Sequence, residues 1–129
     1  MKLYITDDFL AFMREARVSE EKLAEVAKEL LNGLHDGELV RYELYKKRIP
    51  SPKQSKRDSN RGIIAVKTDE KMFFMDGWRK SDIPKKGKEI PDKLLEVYKL
   101  LAGEFRNMSE HDIAKSIKSG LLKEVEYER

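Results

Sequence analysis

The segment from Gly62 to Trp78 constrains the fold more than any other part of the chain. Gly62-Ile63-Ile64-Ala65-Val66-Lys67 and Lys71-Met72-Phe73-Phe74-Met75-Asp76-Gly77-Trp78 are short runs rich in β-branched and aromatic residues. Thr68-Asp69-Glu70 between them has the composition of a turn. Such a pattern predicts a β-hairpin. The runs are apolar on both faces rather than alternating, which predicts strands in the middle of a sheet rather than at its edge.

The flanking segments supply the rest of the sheet and its cover. Tyr4-Ile5 is a short apolar opening that fits a first strand. Thr6 or Asp7 can cap a helix from about Asp8 to Ala16, with Phe9, Phe12, Met13 and Ala16 on one face. Ser19 opens a second helix with Glu20 and Glu21 in its first turn and Leu23, Val26, Ala27, Leu30 and Leu31 at helical spacing. Gly33 is its expected left-handed stop. Arg41 to Ile49 is expected as one strand, closed by Pro50 and Pro52, since proline cannot feed a central ladder. Ser51 to Asn60 is a polar, basic loop. Asp92 to Phe105 carries Leu94, Leu95, Val97, Tyr98, Leu101 and Ala102 at helical spacing. Ser109-Glu110-His111-Asp112 has the form of a capping box for a short last helix that ends near Gly120, and Leu121 to Tyr127 fits one more strand.

The order is therefore β-α-α-β-β-β-α-α with a terminal strand in reserve. The expected class is α+β: a mainly antiparallel sheet of three to four strands, an N-terminal helical hairpin packed on it, and additional C-terminal helices. The economical arrangement sets the helices on one face and leaves basic residues on the other. A length of 129 residues fits one domain, 1–129, with a C-terminal helical extension from about residue 92.

Composition narrows the function classes. The chain has no cysteine, which excludes disulfide frameworks, thiolate metal sites and cysteine nucleophiles, and fits a cytoplasmic protein. No apolar stretch is long enough for a membrane span, and no secretory leader is evident at Met1 to Asp8. His35 and His111 are far apart and no metal-binding motif surrounds them, so no metal or other cofactor is expected. There is no GxSxG segment and no phosphate-binding P-loop. The Ser19–Leu31 helix is too acidic to read DNA as a recognition helix.

Charge is more informative in its distribution than in its sum of +3. Between Lys46 and Arg61 there are seven basic residues (Lys46, Lys47, Arg48, Lys53, Lys56, Arg57, Arg61) against one acid, Asp58. Arg79, Lys80, Lys85, Lys86 and Lys88 follow, against Asp82. Such segregation suits a polyanion partner, and equally a solvated loop and edge strand. Strand alternation puts Lys46 and Arg48 on one face and Lys47 on the other.

RNA cleavage without metal needs few groups. A base takes the 2′-OH proton, an acid protonates the leaving 5′-oxygen, and cations offset charge on the phosphorane. Tyr42, Tyr45, Lys46, Lys47, Arg48, Lys56, Arg61 and Lys80 are the groups at hand. Trp78, beside Phe73 and Phe74, offers a stacking surface for a base or else belongs to the core.

Three blocks carry a family resemblance. They are Glu29 to Leu34; Lys46-Lys47-Arg48-Ile49 with Arg61-Gly62-Ile63-Ile64-Ala65; and Phe73-Phe74-Met75-Asp76-Gly77-Trp78-Arg79-Lys80-Ser81-Asp82. The tail from Ile117 to Val125 joins them. In order and spacing the chain resembles the RelE branch of bacterial type II toxins, especially its HigB-like group with an extended C-terminus. The resemblance implies the β-α-α-β-β-β core and ribosome-dependent cleavage of mRNA in the ribosomal A site without metal. It also implies silencing by a cognate antitoxin, through which the pair binds operator DNA.

Carried over by matching blocks, Lys47, Arg48, Lys56 and Arg61 are the catalytic candidates. Arg48 and Arg61 are assigned to phosphate charge, and Lys47 or Lys56 to proton transfer. Lys46, Lys53, Arg57, Trp78, Arg79 and Lys80 are the RNA-binding candidates. The family's glycine-rich loop is replaced here by Lys53 to Arg61, with Asn60 where an aromatic precedes the arginine, and Ser81-Asp82 replaces Asn-Glu. Two alternatives stay open: a gyrase inhibitor of the related ParE type, and a non-catalytic RNA-binding remnant.

Overall fold

Local caps start and stop the helices. In the computed structural model, which describes residues 1–55, 59–68, 70–82 and 88–126, β1 (Lys2–Thr6) runs directly into α1 (Asp7–Ala16). The Thr6 hydroxyl accepts from the Phe9 amide at 3.2 Å and donates to the Met75 carbonyl at 2.7 Å, so one side chain both caps α1 and ties it to the sheet. Ser19 caps α2 (Glu20–Leu31). Gly33, at φ 79°, ends it in a left-handed turn in which the Gly33 and Leu34 amides donate to the Leu30 and Glu29 carbonyls.

The single strand expected over Arg41 to Ile49 is instead a hairpin. β2 (Gly37–Val40) and β3 (Leu44–Ile49) pair antiparallel around a turn at Val40–Glu43, with Tyr42 at φ 62°. β4 (Asn60–Lys67) and β5 (Lys71–Trp78) form the expected central hairpin. After a 3-10 turn at Lys80–Asp82 come α3 (Asp92–Arg106), α4 (Glu110–Lys118) and β6 (Leu122–Glu124). The capping box of α4 forms in both directions, with the Ser109 hydroxyl and the Asp112 carboxylate each accepting at 3.1 Å.

The sheet order is β2-β3-β4-β5-β1-β6. It is mainly antiparallel, with β1 parallel to β5. Six strands replace the three or four expected. The difference comes from β2, which follows directly on the polar stretch behind α2, and from the terminal strand held in reserve, which forms as β6 and pairs on β1.

The helices occupy both faces, not one. On the first face Phe9, Phe12 and Met13 of α1 and Leu23, Val26 and Leu30 of α2 meet Ile5, Ile49, Ile64, Val66, Met72 and Phe74. On the second, Tyr98 and Ala102 of α3 and Ile113 of α4 meet Tyr4, Leu44, Ile63, Ala65, Phe73 and Met75. Phe73 stacks between Tyr4 and Phe105 at 5.3 and 5.0 Å. The double-sided apolarity of β4 and β5 demands this arrangement, because each face must be covered.

A bulge sets which residues look toward α3. Ile64 pairs with Phe74 and Ile63 with Asp76, which leaves Met75 as the extra residue of β5. The alternation is reset there. Gly77 then faces α1, where a Cβ would lie 2.5 Å from the Phe12 ring, and Trp78 joins the α3 side.

Candidate functional site

The cationic residues of β3 and β4 form a line on the α3 face. Arg48 pairs in register with Arg61, and Arg61 with Trp78, so two guanidinium groups and an indole cross three adjacent strands. Lys46, two residues before Arg48, shares that face and is diagonal to Arg61.

Arg61 is held most tightly. It is only 8% exposed, and its guanidinium donates to the Ser59 carbonyl at 2.6 Å. Asn60 stabilises this strand end by donating to the Ile49 carbonyl at 2.8 Å and to the Ser51 hydroxyl at 3.0 Å. The Arg48 guanidinium lies 3.7 Å from the Asp36 carboxylate, which also accepts from the Arg48 amide at 2.6 Å. Glu89, on the segment leading into α3, places one carboxylate oxygen 3.2 Å from Arg61 Nε and 3.6 Å from Lys46 Nζ. The indole Nε1 of Trp78 is buried with no hydrogen-bond partner among the described residues. Beside it in sequence, Asp76 accepts from the Tyr98 hydroxyl at 2.5 Å. Burial, reinforced by the adjacent Asp76 carboxylate, drives the Tyr98 hydroxyl far above the ordinary tyrosine range, so it stays protonated.

Lys47 does not join the line. It is 3% exposed on the opposite face, where Glu29 of α2 lies 3.6 Å away. The candidate for proton transfer is thus separated from Arg48 and Arg61 by the sheet itself. Lys53, at φ 66°, lines a groove with Arg17, Val18, Ser19 and Lys22 at the α1–α2 junction, not the cationic line. Arg79 and Lys80 are exposed just beyond the end of β5. Lys56 and Arg57 lie outside the described residues. Phe73 and Phe74 are both core residues, on opposite faces.

Sequence reading missed the acids. Asp36 and Glu89 contact the cations of the line, Asp76 holds Tyr98 on the same face, and each comes from outside the basic run. Their proximity depends on the β2–β3 hairpin, the approach to α3 and the β5 bulge, and no local motif announces it. His35 packs on the Tyr45 ring at 5.1 Å and His111 is exposed on α4. Among the described residues no three His, Asp or Glu side chains are gathered closely enough to hold a metal ion. Nor is any described helix long and apolar enough to cross a membrane.

Fold and face together define a small α+β domain that gathers Lys46, Arg48, Arg61 and the Trp78 indole on the α3 face of β3, β4 and β5, with Asp36 and Glu89 as counter-charges. The family model for the RelE toxin of the RelE / RelB toxin-antitoxin system matches residues 1–125. The chain belongs to the RelE toxin family, and is the toxin of a toxin–antitoxin pair with a cognate antitoxin as its partner. No curated protein matches the chain.

Proposed function

We propose that this toxin is a ribosome-dependent, metal-independent mRNA endoribonuclease that inhibits translation, as in the HigB-like group. The observation that carries the reading is the line of Arg48, Arg61 and Trp78 across β3, β4 and β5. Two guanidinium groups on a rigid sheet offset charge building on the phosphorane, and they do so best when held in advance, as Arg61 is by the Ser59 carbonyl. The Trp78 indole, at the end of the line, offers a stacking face for a base next to the scissile phosphate. Tyr98 stays protonated and serves no role as a base. Lys56 remains the carried-over candidate for proton transfer. A ribosomal substrate implies action in the cytoplasm, and the antitoxin would carry the complex to operator DNA.

The test adds purified protein to a defined mRNA, alone and in a reconstituted translation reaction, and maps new 5′ ends by primer extension. Cuts in register with codons, seen only with translating ribosomes, are expected. Arg48→Ala and Arg61→Ala should each relieve growth arrest while the protein remains folded. Toxicity that survives both substitutions at equal protein level refutes the site.

A second reading, RNA binding without cleavage, is favoured by the two carboxylates, Asp36 and Glu89, that already offset part of the line's charge. It predicts bound RNA and no new ends in either reaction.

A further inference from the structure

Glu89 is the only described carboxylate that touches two cations of the line at once. Both contacts use the same oxygen, Oε1. That oxygen has no partner with hydrogen-bond geometry among the described residues, so it is held by charge and not by directed bonds. Its neighbours in sequence fix its position: Ile90 packs against the apolar layer under α3, and Lys88 pairs with Asp92 at 2.7 Å. Arg61 is nearly buried, and a buried guanidinium without a counter-charge is strongly disfavoured. Whatever leaves this position must be replaced by another anion.

We propose that Glu89 is a built-in occupant of a phosphate position on the Lys46–Arg61 pair, and that single-stranded RNA binds there by displacing it. This rests on the reading that the line binds RNA phosphate. A bridging oxygen between a lysine and an arginine is where a non-bridging phosphate oxygen would sit. The strap from Lys88 to Pro91 then acts as a tethered competitor that weakens loose RNA. It yields only where other contacts, such as those on a ribosome, supply the remaining affinity.

The test measures fluorescence anisotropy of a labelled, 2′-O-methylated single-stranded oligoribonucleotide, which cannot be cut. Wild type, Glu89→Gln, Glu89→Ala and Arg61→Ala are titrated over a series of KCl concentrations, with thermal melts to verify folding. Both Glu89 variants should bind roughly three- to tenfold tighter at moderate salt, with the slope of log K against log salt unchanged, because the same phosphate contacts form in all three proteins. Arg61→Ala should weaken binding. If Arg61→Ala weakens binding while neither Glu89 variant tightens it, Glu89 is no competitor and the inference fails alone. If Arg61→Ala leaves binding and its salt slope unchanged, the line is not the phosphate site and both readings fall.

Discussion

Lys47 and Glu29 offer the sharpest test of how the two sheet faces divide their work. At 3.6 Å, two unit charges attract by about 4.6 kcal/mol in a medium of effective dielectric constant about 20. The Glu29 carboxylate is about a quarter exposed, so water screens part of this. Lys47 is not screened in the same way, because its side chain is 4% exposed. Glu29→Ala should therefore destabilise the fold by about 2 kcal/mol, mostly the penalty of an unpaired buried ammonium. Lys47→Met keeps the volume and removes the charge, and should cost less than about 1 kcal/mol. In the double variant the loss of Glu29 should cost less than it does in wild type, because the buried ammonium is gone. Urea unfolding followed by circular dichroism measures all three, read from the midpoints at constant m. A cost below about 0.5 kcal/mol for Glu29→Ala would show that Lys47 is not buried against α2. Loss of RNA binding by Lys47→Met at unchanged stability would return Lys47 to the cationic line.

Three further outcomes follow from particular contacts. Gly77→Ala drives a methyl group into the Phe12 ring, 2.5 Å from the would-be Cβ, and should cost about 1–3 kcal/mol in thermal or urea unfolding, whereas a change below about 0.3 kcal/mol would mean that α1 shifts freely on β5. Hydrogen bonds from Ser109 hold the Asp112 carboxyl below its ordinary value of 3.8. Its folded pKa is depressed, so its contribution is present above that value and lost as pH falls through the folded pKa; the stability gap between wild type and Asp112→Asn at neutral pH should close in acid, and a gap independent of pH refutes the capping role. Burial, helped by the charges of Glu124 and Glu110, pushes the Tyr4 hydroxyl up to about 12, and Tyr98 is raised further. Raised pKa values stabilise fully below the unfolded value near 10 and fail as pH rises toward the folded ones, so ultraviolet titration should show these two tyrosines ionising only with alkaline unfolding.

Much of the local structure was legible in the chain because its signals act within a few residues. Thr6, Ser19 and Ser109 cap the helices they precede, and Gly33 stops α2 in a left-handed turn. The β4–β5 hairpin was legible from two apolar runs and one turn. Even the two-sided cover was implicit there, since strands apolar on both faces leave no side for water. The β2–β3 turn was not legible, because Arg41 and Tyr42 carry no Gly, Asn or Pro to mark a reversal, although Tyr42 takes a positive φ.

The site divides the same way. Strand alternation alone separates Lys46 and Arg48 from Lys47, and family spacing pairs Arg48 with Arg61 as candidates. Sequence could not place Trp78 beside them, because simple alternation from Phe73 and Met75 would point it toward α1; the Met75 bulge turns it back. It also could not show that Lys46, Lys47, Arg48 and Arg61 each meet a carboxylate. Asp36, Glu29 and Glu89 lie outside the basic run and meet its cations only through the β2–β3 hairpin, the packing of α2 and the strap before α3. Caps, turns and alternation are decided by neighbours along the chain. The charge state of a surface is decided by neighbours in space, which exist only once the sheet has chosen its register.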